Sequence, residues 1–230
     1  MRLGRGTCPD AAEWFGPVEP RRAAGRVLAD FNTKHKAMTL QDPCRAALPG
    51  LRVLTLPGWQ GSGPAHWQSR WEALYGDRRV EQHDWMRPLR GDWMIRLDEE
   101  IGALADAPGP DVVLVAHSLG CHLVAAWAAH SGRTARVRAA LLVAPPDFDR
   151  PDRPPQLHSF WPMVRAPLPF PALVVVSEDD PYCAPAAAWK LAEDWRARAL
   201  DAGARGHLNA DSGLGDWPEG RALLAGLLAG

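Results

Sequence analysis

The chain is 230 residues long, with 26 Lys and Arg against 27 Asp and Glu and a formal net charge of −1. That length suits one domain, or one domain with an appendage, and is enough to bury a core without a metal or disulfide staple. The charge balance excludes a general nucleic-acid binder, which needs a basic face, and no apolar stretch approaches the ~20 residues of a membrane-spanning helix.

Residues 1–49 carry Pro9, Pro17, Pro20, Pro43 and Pro49 and no apolar run with a period of 2 or 3.6. They are expected to form a disordered extension, with Met38 an alternative start, and they lack the unbroken apolar stretch of a secretory signal. Residues 50–230 are expected to form the folded domain. Its short apolar runs, LRVLTL (51–56), DVVLVA (111–116), AALLVA (139–144) and ALVVVS (172–177), read as buried strands. Near-continuous hydrophobicity of this kind belongs to a parallel sheet covered on both faces. A weaker strand is expected within 78–85.

Helical spacing fills the intervals. Trp67, Trp71 and Leu74 share a face, as do Trp93, Leu97, Ile101 and Leu104; further helices are predicted after Ser118, over about 184–200 and over about 219–228. The alternation gives an α/β fold, a mostly parallel sheet of about six strands with helices on both faces. The Pro-rich segment 145–171 is expected to be an irregular loop over the sheet's edge, too short for a large cap domain. Cys8, Cys44, Cys121 and Cys183 form no C-x-x-C pair and no zinc spacing. No metal or cofactor is expected, and the chain reads as cytoplasmic with reduced thiols.

The segment DVVLVAHSLGCHLVAAWAAH runs from a buried strand directly into Ser118 and then into an Ala-rich helix. A serine at such a junction sits on a sharp turn that admits only small residues two before and two after it, here Ala116 and Gly120. This is the pattern of a nucleophile elbow, A-x-S-x-G in place of the commoner G-x-S-x-G. A serine could instead simply cap the helix, so the reading depends on a base and an acid elsewhere. In α/β-hydrolases the order along the chain is serine, acid, histidine. The strand ending in SEDDPYC offers Asp179 and Asp180, and His207 follows one helix later in GARGHLNADSG. Asp180, directly before Pro181, is the preferred acid and Asp179 the alternative. Of the other histidines, His117 faces away from the serine by alternation, and His66 and His83 read as structural.

Acyl transfer also needs two backbone donors at the developing oxyanion. The N–H of Leu119 is one candidate. The turn in LPGWQGSGPAHWQSRWE supplies the other, Trp59 N–H in preference to Gln60. No phosphate-cradling G-x-x-x-x-G-K-[ST] or G-x-G-x-x-G is present.

Together, LPGWQGSGPAHWQSRWE, AHSLGC, SEDDPYC and GHLNADSGLGDWPEG resemble the small serine hydrolases related to retinoblastoma-binding protein 9 and bacterial YdeN, over about residues 51–229. The resemblance implies a compact α/β-hydrolase fold with Ser118, Asp180 and His207 as its triad. Trp59, Phe160 and Trp161, in loops expected near the serine, are candidates for a shallow apolar acyl pocket. The expected activity is cleavage of a small-molecule carboxylic ester, thioester or amide through an acyl-enzyme. A peptidase-like enzyme, or a protein-binding module of the same fold with little turnover, is the alternative.

Overall fold

The computed structural model describes residue 48, residues 50–104 and residues 109–230; the extension expected over 1–49, Leu48 excepted, lies outside them. Six strands form one sheet: β1 (Arg52–Leu56), β2 (Arg78–Arg79), β3 (Val112–His117), β4 (Val137–Val143), β5 (Ala172–Val176) and β6 (Arg198–Asp201). The order across the sheet is β2-β1-β3-β4-β5-β6, and every neighbouring pair is parallel. Among the described residues, four α-helices lie between strands, α1 (Trp67–Tyr75), α2 (Arg90–Ala103), α3 (Leu119–Ala128) and α4 (Pro185–Asp194), and α5 (Pro218–Ala229) follows β6.

The inner strands β1, β3, β4 and β5 are largely apolar on both sides because each side is a core. Leu54, Leu114, Leu142 and Val174 pack with Trp93, Leu97 and Ile101 of α2, with Leu123 of α3 and with Leu191 of α4. Val53, Val115, Leu141 and Val175 alternate to the other face and meet Trp67 and Trp71 of α1 and Leu224 and Leu227 of α5. The chain reverses its direction of travel across the sheet at β1, whose neighbours are β2 and β3. The carboxyl ends of β1 and β3 therefore flank a topological switch point, where open α/β sheets form their crevices.

Three sequence expectations need correction. The weaker strand shrinks to Arg78–Arg79, pairing with Leu54 and Thr55. The helix expected to reach residue 200 ends at Asp194, the backbone turns at Arg196 with φ 53°, and 198–201 become the edge strand β6. Ala, Leu and Arg favour helix intrinsically, but pairing with β5 overrides that preference. Leu74, expected to share the inward face of Trp67 and Trp71, is exposed.

The C-terminal helix is fastened by a buried ion pair. Arg221 of α5 donates from Nη1 to Asp77 Oδ2 at 2.6 Å, and its guanidinium lies 5.0 Å from the Trp71 ring centroid and 4.1 Å from that of Tyr75. Both side chains are almost fully enclosed. Removing one partner of such a pair leaves an uncompensated buried charge. Arg221→Met should therefore cost about 3–5 kcal/mol in urea unfolding, whereas Asp77→Asn/Arg221→Met should recover much of that loss. A single variant as stable as wild type would contradict this role.

Candidate active site

β3 is fully buried and delivers the chain to Ser118, whose backbone (φ 54°, ψ −122°) lies in a region that non-glycine residues seldom occupy. A conformation of this kind costs about 1–3 kcal/mol and persists only where its surroundings enforce it. Two glycines permit the turn. A Cβ on Gly120 would stand 2.2 Å from Leu56 O, and one on Gly58 would stand 2.7 Å from Ser118 Cβ and 3.2 Å from its Oγ. The end of β1 is thus pressed against the serine, and Ala116 is fully buried. Ser118 N–H is held by Val143 O of the adjacent strand at 2.9 Å.

Past β5, Asp180 receives the Tyr182 N–H on Oδ1 at 2.8 Å. His207 reaches over from the segment between β6 and α5. Its Nδ1–H donates to Asp180, with distances of 2.9 Å to Oδ2 and 3.0 Å to Oδ1, and its Nε2 accepts from Ser118 Oγ at 2.9 Å. The three residues are thereby brought together as serine, imidazole and carboxylate. Asp179 does something else: its Oδ1 accepts from Gly206 N–H at 2.6 Å and from Ser177 Oγ at 3.0 Å. The Gly206 N–H holds its carboxyl below the usual carboxylate range, with Ser177 adding to the effect. Asp179 fastens the loop that carries His207 and does not touch the imidazole ring.

Leu119 is the first residue of α3, where N–H groups lack intrahelical acceptors. Of the two candidates in the turn after β1, Gln60 N–H is already bound to Trp85 O at 3.0 Å, while Trp59 N–H meets no acceptor among the described residues. The Trp59 indole is half-buried, and its Nε1–H donates to Met86 O. The structure does not assemble the expected aromatic pocket from Trp59, Phe160 and Trp161. Phe160 is 1% exposed and packs edge-on to Trp93, a core position with no surface left for a ligand. Trp161 is 47% exposed and lies under the Arg153 guanidinium, with no hydrogen bond or ring contact to Trp59 or Ser118.

A family model described as serine hydrolase matches residues 53–226. The chain belongs to the serine hydrolase family. A protein of Pectobacterium atrosepticum described as a YdeN-like hydrolase is 27% identical, with 78% of this chain and 91% of that chain covered and a TM-score of 0.66. The ydeN gene product of B. subtilis is 18% identical over 78% of this chain and all of that one, with a TM-score of 0.59. Est1E from Butyrivibrio proteoclasticus shares the fold at 10% identity, covering 78% and 89% of the two chains with a TM-score of 0.56. A search of the curated proteins gave no match. The fold and the YdeN-like relationship read from the four sequence blocks therefore hold for this serine hydrolase.

Two features of the site have no signature in the sequence. The Tyr182 ring stands edge-on to His207 at 4.6 Å between centroids and is 55% exposed, so it forms part of the rim. Behind His207 stand two more imidazoles: His117 at 4.9 Å, and His66 at 4.7 Å from His117. A cleft of about 730 Å³, lined by His83, Arg87, Leu89, Trp93 and His158 among others, contains none of Ser118, Asp180 and His207.

Burial holds His66 down at about 4, with the nearby His207 and Arg79 adding to the effect, and burial likewise holds His117 well below the usual imidazole range. His122, whose Nε2–H donates to Pro146 O, is also lowered to about 4 by burial. These groups are neutral in the native protein but take up protons near 6.5 once unfolded. The unfolded state therefore binds more protons between those values, and stability is lost as pH falls from about 6.5 towards 4. Urea midpoints should decline across that interval, and the decline should be smaller in His122→Gln, which keeps a donor for Pro146. Identical declines in the two proteins would mean that His122 is not buried in its neutral form.

Proposed function

We propose that this chain hydrolyses a carboxylic ester, thioester or amide through an acyl-enzyme on Ser118. The observation that carries the reading is the chain of contacts from Ser118 Oγ through both nitrogens of His207 to the Asp180 carboxylate. His207 Nε2 takes the hydroxyl proton as Oγ attacks the carbonyl carbon, and the imidazolium so formed is stabilised by Asp180 across Nδ1. The N–H groups of Leu119 and Trp59 are the donors for the oxyanion, each worth roughly 3–4 kcal/mol in a preorganised site. Collapse of the tetrahedral intermediate expels the alcohol, thiol or amine, which leaves with the proton from Nε2. Water then repeats the sequence on the acyl-enzyme, releasing the acid and restoring Ser118. The strained backbone at Ser118 supports this assignment over a helix cap, because its side chain makes no capping hydrogen bond.

Of the two aspartates, Asp180 is assigned as the acid on its contact with Nδ1, and Asp179 as a loop anchor. Trp59 is kept as an acyl-side contact by its place beside Gly58, whereas Phe160 is withdrawn from that role.

A fluorophosphonate probe should label the wild type and not Ser118→Ala. His207→Ala should slow ester turnover on the order of 10⁴–10⁶-fold. Asp180→Asn should cost about 10⁴-fold, the size of effect seen where a triad acid can no longer fix the imidazole tautomer. Asp179→Asn, which only loosens the loop, should lose much less. Folded wild type that resists the probe would overturn the hydrolase reading and favour a binding module of the same fold. Equal losses in the two aspartate variants would overturn the assignment of the acid.

A further inference from the structure

We propose that His117 is a positioning residue, which by donating a hydrogen bond to the backbone carbonyl of His207 ties the base to the same strand end that carries the nucleophile. This rests on the reading of Ser118, Asp180 and His207 as a catalytic triad.

His207 belongs to no helix or strand. The loop that carries it takes positive φ at Gly203 (70°), Gly206 (57°) and Leu208 (49°), so it has little regular backbone pairing of its own to hold a ring in place. Side chains from elsewhere supply the restraint. Gly206 N–H donates to Asp179 Oδ1 at 2.6 Å, His207 O accepts from His117 Nε2 at 2.9 Å, and Leu208 O accepts from Trp67 Nε1 at 2.8 Å. Consecutive residues are thus pinned from the end of β5, the end of β3 and the start of α1.

The middle pin differs from the other two because His117 immediately precedes Ser118. A shift of the end of β3 would carry both the nucleophile and the anchor of the base, so the Ser118–His207 distance is preserved within one mechanical unit. His117 follows Val113 and Val115 to the α1/α5 side of the sheet, where it meets His66 edge-on at 4.7 Å and Trp67 at 6.2 Å. His66 is itself fixed: its Nδ1 accepts from Gln68 N–H at the start of α1. The anchor therefore has little freedom to rotate. Because His207 O is a carbonyl, His117 must be the donor, and burial of His117 and His66 keeps both neutral beside the imidazolium that the reaction creates at His207.

The test uses the length of the side chain. The amide nitrogen of glutamine can reach the place of imidazole Nε2, whereas that of asparagine stops near Nδ1. Hydrolysis of p-nitrophenyl acetate would be measured for wild type, His117→Asn and His117→Gln, with kcat expressed per serine titrated by a fluorophosphonate. His117→Asn should lower kcat per titrated site on the order of 10²-fold, the size of loss that follows a misplacement of about 1 Å, with KM nearly unchanged. His117→Gln should recover most of it. A purely structural role for His117 would lower the number of titratable sites and leave kcat per site unchanged, and that result overturns the proposal. So does equal activity of the two variants. If His117→Asn does not fold, His117→Gln decides: a kcat per site lowered on the order of 10²-fold overturns the proposal, and one near wild type supports it. Failure of the probe to label wild type would overturn the triad reading itself, which is a separate outcome from any difference among the His117 variants.

Discussion

The site depends on how closely two parallel strands can end beside one another. β1 and β3 pair residue for residue from Arg52 opposite Val112 to Leu56 opposite Ala116, so their carboxyl ends arrive at the same level. Two residues further on, the chain has to turn sharply at Ser118 while the strand beside it has to leave through Pro57 and Gly58. Nothing larger than hydrogen fits at Gly58 or Gly120 without displacing Ser118 or the Leu56 carbonyl. The close approach places Ser118 against the turn at Gly58, just before Trp59, whose N–H meets no acceptor among the described residues. A wider separation of the strand ends would take the Trp59 N–H away from the serine.

That closeness has an energetic cost, which is distributed over the molecule. Ser118 and Leu208 are both non-glycine residues at positive φ, the second directly after His207. Neither conformation is favoured locally, so each must be imposed by surroundings that do not yield. For Ser118 these are the buried β3 and the Val143 carbonyl. For Leu208 they include the Trp67 indole, which also packs against Trp71 and Trp217 with ring centroids 4.9 and 4.8 Å away. The tryptophans on this face thus hold α1 and the start of α5 against the sheet, and one of them also bonds to the loop that carries His207. Stability and geometry at the site share the same side chains.

Much of this was legible in the sequence, for identifiable reasons. The four long apolar strands announce themselves because a parallel sheet buried on both faces needs unbroken hydrophobicity. The order of serine, aspartate and histidine is readable because each sits just past an apolar run or within a glycine-bounded loop. The edge strands were harder. β2 is two residues long, and β6 is built from helix-favouring residues whose strand state comes from pairing with β5. Phe160 was misplaced because a Pro-rich loop gives no periodicity from which to tell inward from outward positions. Its place before Pro181 favours Asp180 over Asp179 in the sequence, and in three dimensions Asp180 meets the ring while Asp179 meets Gly206 N–H. His117 was read correctly as facing away from the serine hydroxyl, but a linear pattern cannot reveal that the far side of the strand is where the backbone of His207 passes.

The electrostatics of the neighbourhood follow from the same packing. An imidazolium at His207 needs an anion at one end and no competing cation close by. Asp180, nearly enclosed and receiving a backbone N–H, supplies the anion. The two imidazoles behind it are the groups most able to spoil the arrangement, since a proton on either would oppose charge at His207. Burial removes that threat, because His66 and His117 resist protonation well below the pH at which an ordinary histidine ionises. The desolvation that lowers native stability in acid is therefore the same effect that keeps the two rings behind His207 uncharged.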